Sequence, residues 1–280
     1  MTIREALRSA VERLELHRVS NARLTAELLL SHVLSAQREY LFAHDERVLT
    51  DVESQTLEDR LYDRIGGVPL QYILGRQEFY GRYFQVSPAV LIPRPETEYI
   101  VEAVLEIHGA TQQAPSSSIV DVGTGSGCIA VTLALEIPGS NVIAADLSLD
   151  AVRVAQENAN SLEADVHFVC TDVLDGISGK FDFIVSNPPY VRRDEITRLQ
   201  REVREHEPHV ALFSPEDELA IYRRLVFGGE NVLNPGGHII MEVGLGMDER
   251  VLALCGPRWE KLPTKTDLQG IPRTVVAQLR

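Results

Sequence analysis

From Ile119 onward, short apolar runs alternate with segments of helical periodicity, and few folds accept a chain written this way. Strand "IVDVG" leads into helix "SGCIAVTLALEI", and "NVIAADL" leads into "SLDAVRVAQENANSL". "VHFVCTDV" and "KFDFIVSN" follow as strands. A polar, mostly helical insert covers about residues 193–226. After it come strand "GHIIMEVG", helix "GMDERVLALC" and two short candidate strands around "WEKLPT" and "RTVVAQL". Apolar strands joined by helix-long connections predict a doubly wound α/β sheet with helices on both faces. In such a sheet ligands bind beyond the carboxyl ends of the strands, at the point where strand order reverses.

The residues before this pattern read differently. "TIREALRSAVERL" opens with Thr2 and Glu5 in capping-box spacing and carries Leu7, Val11 and Leu14 on one face. "NARLTAELLLSHVL" is a second amphipathic helix and "REYLFAH" a short third. Thr50 and Glu53 start another capped helix, which stacks Leu57, Leu61 and Ile65 and stops at Gly66 and Gly67. The spacing therefore predicts a helical bundle over residues 1–74. A β-hairpin linker is expected over 75–92, where Tyr, Phe and Val alternate with polar residues around glycines. The α/β domain takes 93–280. It opens on the proline- and acid-led helix "PRPETEYIVEAVLEIHG", and "ATQQAPSSS" reads as a polar loop.

Composition narrows the functional classes. Of the 280 residues 44% are hydrophobic, and the formal net charge is −14. Sequence-independent binding of DNA or RNA relies on a basic surface, so broad nucleic-acid affinity is disfavoured and a basic-surfaced partner fits better. Cys128, Cys170 and Cys255 are far apart, so neither a disulfide framework nor a structural zinc site is expected. His206 and His209 flank Glu207, but no third ligand is evident and no metal is expected; Glu207 is read instead as a brace for the loop after the fourth strand. No apolar run reaches membrane-span length, and the first residues lack a signal-peptide core. A cytoplasmic protein is the expectation.

Chemistry concentrates in two places. "DVGTGSGCIA" sets Asp121, Val122, Gly123, Thr124, Gly125 and Gly127 between a strand and its helix. Glycines there permit positive φ and close backbone approach to a ligand, and the helix start offers free N–H groups. Gly125, Gly127 and Ala130 also match the dinucleotide fingerprint. Asp146 closes the second strand and can accept ribose hydroxyls of either NAD or S-adenosylmethionine. Asp172 and Val173 end the third strand, where they can border an adenine. Two features separate the cofactors. An acid at Asp121 can meet the cationic amino group of S-adenosylmethionine, whereas a pyrophosphate gains nothing from it. The fourth strand, moreover, ends in Asn187-Pro188-Pro189-Tyr190.

Methyl transfer from a sulfonium is an in-line displacement in which positioning is most of the catalysis. An amide or aromatic amine is a poor nucleophile, because its lone pair is delocalised. Two fixed acceptors for its N–H groups favour a nitrogen whose lone pair points at the methyl. The Asn187 side-chain oxygen is one, and the Pro188 carbonyl is a second, held in a dipeptide that cannot swing. Tyr190 can stack on a planar amide or base.

Taken together, "NARLTAELLLSHVL", "PLQYILGRQEFYG", "VLIPRPETE", "VDVGTGSGCIA", "SNPPY" and "EHEPHVALF" make the chain resemble the release factor glutamine methyltransferases, over nearly its whole length. The resemblance implies a Rossmann-like class I methyltransferase sheet with a helical N-terminal domain that docks substrate. It implies S-adenosylmethionine as donor and N5-methylation of the glutamine in the Gly-Gly-Gln motif of class-1 peptide chain release factors. Asp121, Gly123 and Gly125 then fall in the cofactor loop, Asp146 at the ribose and Val173 at the adenine. Asn187 to Tyr190 match the acceptor site, Asn187 also bordering the cofactor, and Arg94 and Thr97 in "PRPETE" would line the same pocket. A ribosomal-protein or adenine-N6 methyltransferase would use the same elbow. A nicotinamide dehydrogenase or plain nucleotide-binding module would leave Asn187 to Tyr190 without a role.

Overall fold

A computed structural model describes residues 1–110, 116–214 and 217–280, so most of the loop expected at "ATQQAPSSS" lies outside the described residues. The chain divides into two compact units. One comprises Met1–Gly75 with Gln200–His206, the other Arg76–Leu199 with Glu207–Arg280.

The first unit is helical: α1 (Ile3–Leu16), α2 (Ala22–Val33), α3 (Arg38–Ala43), α4 (Asp51–Gly66) and α5 (Leu70–Leu74). Both capping boxes form. The Glu5 N–H donates to Thr2 Oγ1 at 3.2 Å while Glu5 takes the Thr2 N–H at 2.8 Å, and Thr50 and Glu53 repeat the arrangement. Ile3, Ala6, Ala10 and Leu14 of α1 meet Leu29 and Leu30 of α2 and Leu57 and Leu61 of α4 in one core. Glu27 of α2 is buried and is held by Arg23 and Arg38, so its charge is paired. The short segment Gln200–His206 belongs to this unit, where Glu202 accepts from the largely buried Arg64 at 2.6 Å. Nothing in the polar string "RLQREVREHE" signalled that partner.

The second unit begins with an antiparallel hairpin, β1 (Arg76–Phe79) and β2 (Arg82–Gln85). Tyr80 and Gly81 turn it with φ of 51° and 73°, the double positive-φ geometry that matches strand twist. A 3-10 turn at Pro95–Thr97 runs into α6 (Glu98–Ala110). Then come β3 (Ser118–Val122), α7 (Cys128–Glu136), β4 (Asn141–Asp146), α8 (Leu149–Ser161), β5 (His167–Cys170) and β6 (Phe181–Ser186). A second 3-10 turn (Arg193–Arg198) and α9 (Arg201–His206), which belongs to the first unit, precede α10 (His209–Leu212) and α11 (Ala220–Val232). The remainder is β7 (Leu233–Glu242), α12 (Asp248–Leu252), β8 (Trp259–Lys261), β9 (Lys265–Thr266) and β10 (Pro272–Leu279).

The large sheet runs β5-β4-β3-β6-β7-β10-β8, with β9 on β10. Strands β3 to β7 are parallel, and β10 is antiparallel to its neighbours. Strands β3, β6, β7 and β10 feed both faces. Ile119, Val185, Ile240 and Val276 enter the layer with α6 and α7; Val120, Ile184, Ile239, Met241 and Val275 enter the layer with α11 and α12. The chain travels outward from β3 to β5 and then returns to lay β6 on the other side of β3. Strand order thus reverses between β3 and β6, and a crevice opens there at the carboxyl ends. No helix among the described residues is long and apolar enough to cross a membrane.

Candidate active site

The carboxyl ends of β3, β4 and β6 and the turn after β5 converge on one cavity of ≈ 520 Å³. At β3, Gly123, Gly125 and Gly127 have φ of 74°, 55° and 81°, so every second residue of the loop is left-handed. A Cβ on Gly123 or Gly125 would meet nothing within 4 Å, and both border the cavity, so their bare backbone faces it. Gly127 differs. A Cβ there would come within 3.0 Å of Ala155 Cβ and 3.2 Å of Ala155 Cα, because α7 starts hard against α8.

Asp146 fixes the loop from β4. Its Oδ2 accepts from the Gly125 N–H and its Oδ1 from the Ser148 N–H, both at 2.9 Å. Each oxygen keeps a lone pair for a hydroxyl. Burial raises its pKa, against the pull of the Ser148, Gly125 and Leu147 amides. Asp121 does not line the cavity. It is fully buried behind the loop, where Oδ2 accepts from Thr124 Oγ1 at 2.6 Å and from the Ala130 N–H at 3.2 Å. Its Oδ1 has no partner among the described residues. Burial pushes its pKa up to about 7, opposed by those two bonds and reinforced by Asp146. Val122 and Thr124 line the cavity directly.

Asp172 and Val173 line it from the end of β5. The Asp172 carboxylate accepts from Arg224 at 2.8 Å, which ties this turn to α11. Val173 has φ of 56°. A β-branched residue held there stores on the order of 1–3 kcal/mol, the sort of strain that collects at ligand sites.

On the other side lie Arg94, Thr97, Asn187, Pro188 and Pro189, all lining the same cavity. Asn187 Nδ2 donates to Thr97 Oγ1 at 3.0 Å, and Thr97 Oγ1 donates to Glu242 Oε2 at 2.7 Å. Tyr190 is turned away from the lining. Its hydroxyl donates to Glu242 Oε1 at 3.2 Å, and a Cβ on Gly244 would lie 3.0 Å from its ring. The expected stacking ring is thus packed behind the proline elbow. Burial and the neighbouring Glu242 raise the Tyr190 pKa. Glu207 holds the Ile92 N–H at 3.3 Å and Arg94 at 2.6 Å, so it braces "IPRPE" rather than the loop after β6.

Two residues of this assembly escaped sequence reasoning. Glu242 is 2% exposed at the end of β7, and burial pushes its pKa up to about 7, against the Thr97 and Tyr190 hydrogen bonds. Its signal was a carboxylate set inside the apolar run "IIMEVGL". Asn158, on α8, takes the Gln85 N–H at 2.6 Å and donates to Gln85 and Ser126 carbonyls at 3.0 and 2.8 Å, joining the hairpin to the glycine loop. It had no signal beyond being polar on a helix.

S-adenosylmethionine fits what is present: bare loop backbone at Gly123 and Gly125 facing the cavity, and at the β4 end an acid with a lone pair left on each oxygen for ribose hydroxyls. A sheet with this switch point, glycine loop and acid is that of a class I methyltransferase. Models of two families match, the PrmC N-terminal domain over residues 5–75 and the methyltransferase small domain over 105–206. A release factor glutamine methyltransferase of Koribacter versatilis is 46% identical over 99% of both chains. One of Chlorobaculum tepidum is 40% identical over 96% of this chain and 94% of its own. The chain belongs to the release factor glutamine methyltransferase family. A T. thermophilus 16S rRNA methyltransferase solved with AdoMet and guanosine shares the fold, at TM-score 0.52 and 19% identity over 73% of this chain and 50% of its own.

Proposed function

We propose that the protein transfers a methyl group from S-adenosylmethionine to N5 of the glutamine in the Gly-Gly-Gln motif of class-1 peptide chain release factors. Gly123, Gly125, Asp146 and Val173 would hold the donor, with Asp121 bracing the loop from behind through Thr124 and Ala130. When bound, S-adenosylmethionine supplies an electrophilic methyl on a sulfonium. Asn187 Oδ1 and the Pro188 carbonyl accept the two N–H groups of the glutamine amide. They act more strongly as positive charge grows on nitrogen than on the neutral ground state. The Pro188-Pro189 pair keeps both acceptors from swinging. The helical unit is assigned the docking of the release factor.

The observation that carries this reading is the tether on Asn187. Its amide nitrogen is committed to Thr97 while the residue borders the cavity that the glycine loop also lines. That leaves its oxygen for an incoming NH2. The test is mass spectrometry of a purified class-1 release factor after incubation with enzyme and donor. One methyl on the Gly-Gly-Gln glutamine is expected. An unmodified factor, alongside methylated RNA or ribosomal protein, would overturn the assignment.

A further inference from the structure

A buried carboxylate outside the cavity lining is hydrogen-bonded to a residue that lines it. Glu242 meets Thr97 through one oxygen and Tyr190 through the other, and its own carbonyl accepts from the Tyr222 hydroxyl at 2.8 Å. A hydroxyl has a single proton to give. Thr97 spends that proton on Glu242, so toward Asn187 it can only accept. The carboxamide of Asn187 must then turn its NH2 to Thr97 and its oxygen outward. Among the described residues, the bond to Thr97 is what fixes the direction of this amide.

We propose that Glu242 is a positioning residue for the acceptor: by keeping Thr97 an acceptor, it decides which end of the Asn187 carboxamide faces the substrate. The proposal rests on Asn187 being the anchor of the acceptor amide. With Glu242 protonated, the carboxyl can donate to Thr97, Thr97 can donate to Asn187 Oδ1, and the carboxamide turns over. An NH2 then faces the NH2 of the glutamine, and two donors cannot bond. The ionised form is therefore the competent one.

The charged and titratable groups around Glu242 are few. Glu96, one residue before Thr97, raises its pKa, and Arg273, on β10 beside its cross-strand partner Thr274, lowers it. Tyr190 follows the proline elbow and Tyr222 lies on α11; both are raised by burial and stay neutral across the working range. Protonation near neutrality therefore falls on Glu242 itself.

The test uses the full chain in two independent arms. In the first, Glu242→Gln removes the charge at constant shape, so the direction of the Thr97 bond is no longer imposed. Under saturating donor, kcat should fall about 10- to 100-fold, as expected for loss of one charge-assisted anchor. The Kd for S-adenosylmethionine should stay within about threefold. The wild-type kcat should climb as pH rises through about 7, the value to which Glu242 is pushed, and this limb should vanish in the variant. Thr97→Val should repeat the loss at near-constant volume, and Thr97→Ser, which keeps the hydroxyl, should restore most of kcat. A purely structural role for Glu242 would give neither the vanished limb nor the serine rescue.

The second arm needs no methyl transfer. Protein labelled with 15N-asparagine gives side-chain NH2 signals, and that of Asn187 is identified by its loss in Asn187→Ala. In the wild type this signal should shift between pH 6 and 8 (about one unit either side of the carboxyl midpoint). In Glu242→Gln and Thr97→Val it should not. An Asn187 signal that ignores pH in the wild type, or titrates identically in both variants, overturns the proposal. If the NMR titration appears while release factor stays unmethylated, the substrate assignment fails and the positioning role stands. Methylation with an unchanged profile in Glu242→Gln upholds the substrate assignment and removes the positioning role.

Discussion

Replacing Gly127 by alanine should damage folding, whereas replacing Gly123 should damage donor binding, although the two lie in one loop with nearly the same φ. Both positions are left-handed, at 81° and 74°, so each alanine costs about 1–2 kcal/mol in backbone strain. Gly123→Ala adds nothing further to stability, since its Cβ meets nothing within 4 Å. Gly127→Ala must also push α7 off the Ala155 backbone, from which its Cβ would stand only 3.2 Å. Overpacking against main chain adds about 1–3 kcal/mol, giving about 2–5 kcal/mol in all. In melting temperature that is roughly 5–15 °C for a unit of this size. Trp259 is the sole tryptophan and is buried in the second unit, so its fluorescence in urea reports this unit's unfolding. Calorimetry with S-adenosylmethionine supplies the other axis. Gly123→Ala should lose about tenfold or more in donor affinity, because its methyl projects where the ligand needs bare backbone. Equal stability losses in the two variants, or a larger loss in Gly123→Ala, would refute the division of the loop into a packing glycine and a binding glycine.

Three further outcomes follow from the same geometry. Asn187→Ala should keep S-adenosylmethionine affinity within about threefold while turnover falls by about a hundred- to a thousandfold, since it removes one of the two acceptors and that contact acts mainly in the transition state; full turnover in this variant would remove Asn187 from the chemistry. Asp121 has a folded pKa raised to about 7, so its stabilising contribution is present below its unfolded pKa near 4 and is lost as pH rises through 7. Urea unfolding of the second unit should show stability falling as pH rises through about 7, and Asp121→Asn should make that dependence shallower; a parallel curve in that variant would locate the titration elsewhere. Asn158→Ala leaves the Gln85 N–H and two carbonyls without their partner in a site 1% exposed, and should cost about 2–4 kcal/mol in urea unfolding. A loss below ~0.5 kcal/mol would mean that the hairpin is held by other contacts.

What the sequence disclosed was whatever is local. Capping boxes at Thr2 and Thr50, the alternating apolar runs and the glycine loop each depend on neighbours a few residues apart, and each predicted its element. The proline pair was legible as a strand stop, because neither proline can continue a ladder, and β6 ends at Ser186 just before it. Contacts over long separation were not. Glu207 meets Arg94 from 113 residues away, and its neighbours "EHEPH" give no hint of that partner. Glu242 meets Thr97 across 145 residues. Tyr190 next to two prolines invited a stacking role, yet the space over Gly244 and the carboxylate beyond it draw the ring inward. Only the folded sheet, which brings the ends of β6 and β7 side by side, reveals the pairing.

The layout of the crevice also bears on how such enzymes diversify. The groups assigned to the donor stand on β3, β4 and the turn after β5. Those assigned to the acceptor stand on β6, β7 and the segment before α6. The border between them is the seam between two adjacent strands, and Asn187 is the residue that sits on it. Mutation can therefore reshape one bank while leaving the other intact. A lineage can trade one target for another without relearning how to grip its methyl source, and the carboxamide at the seam is where any such trade must be reconciled.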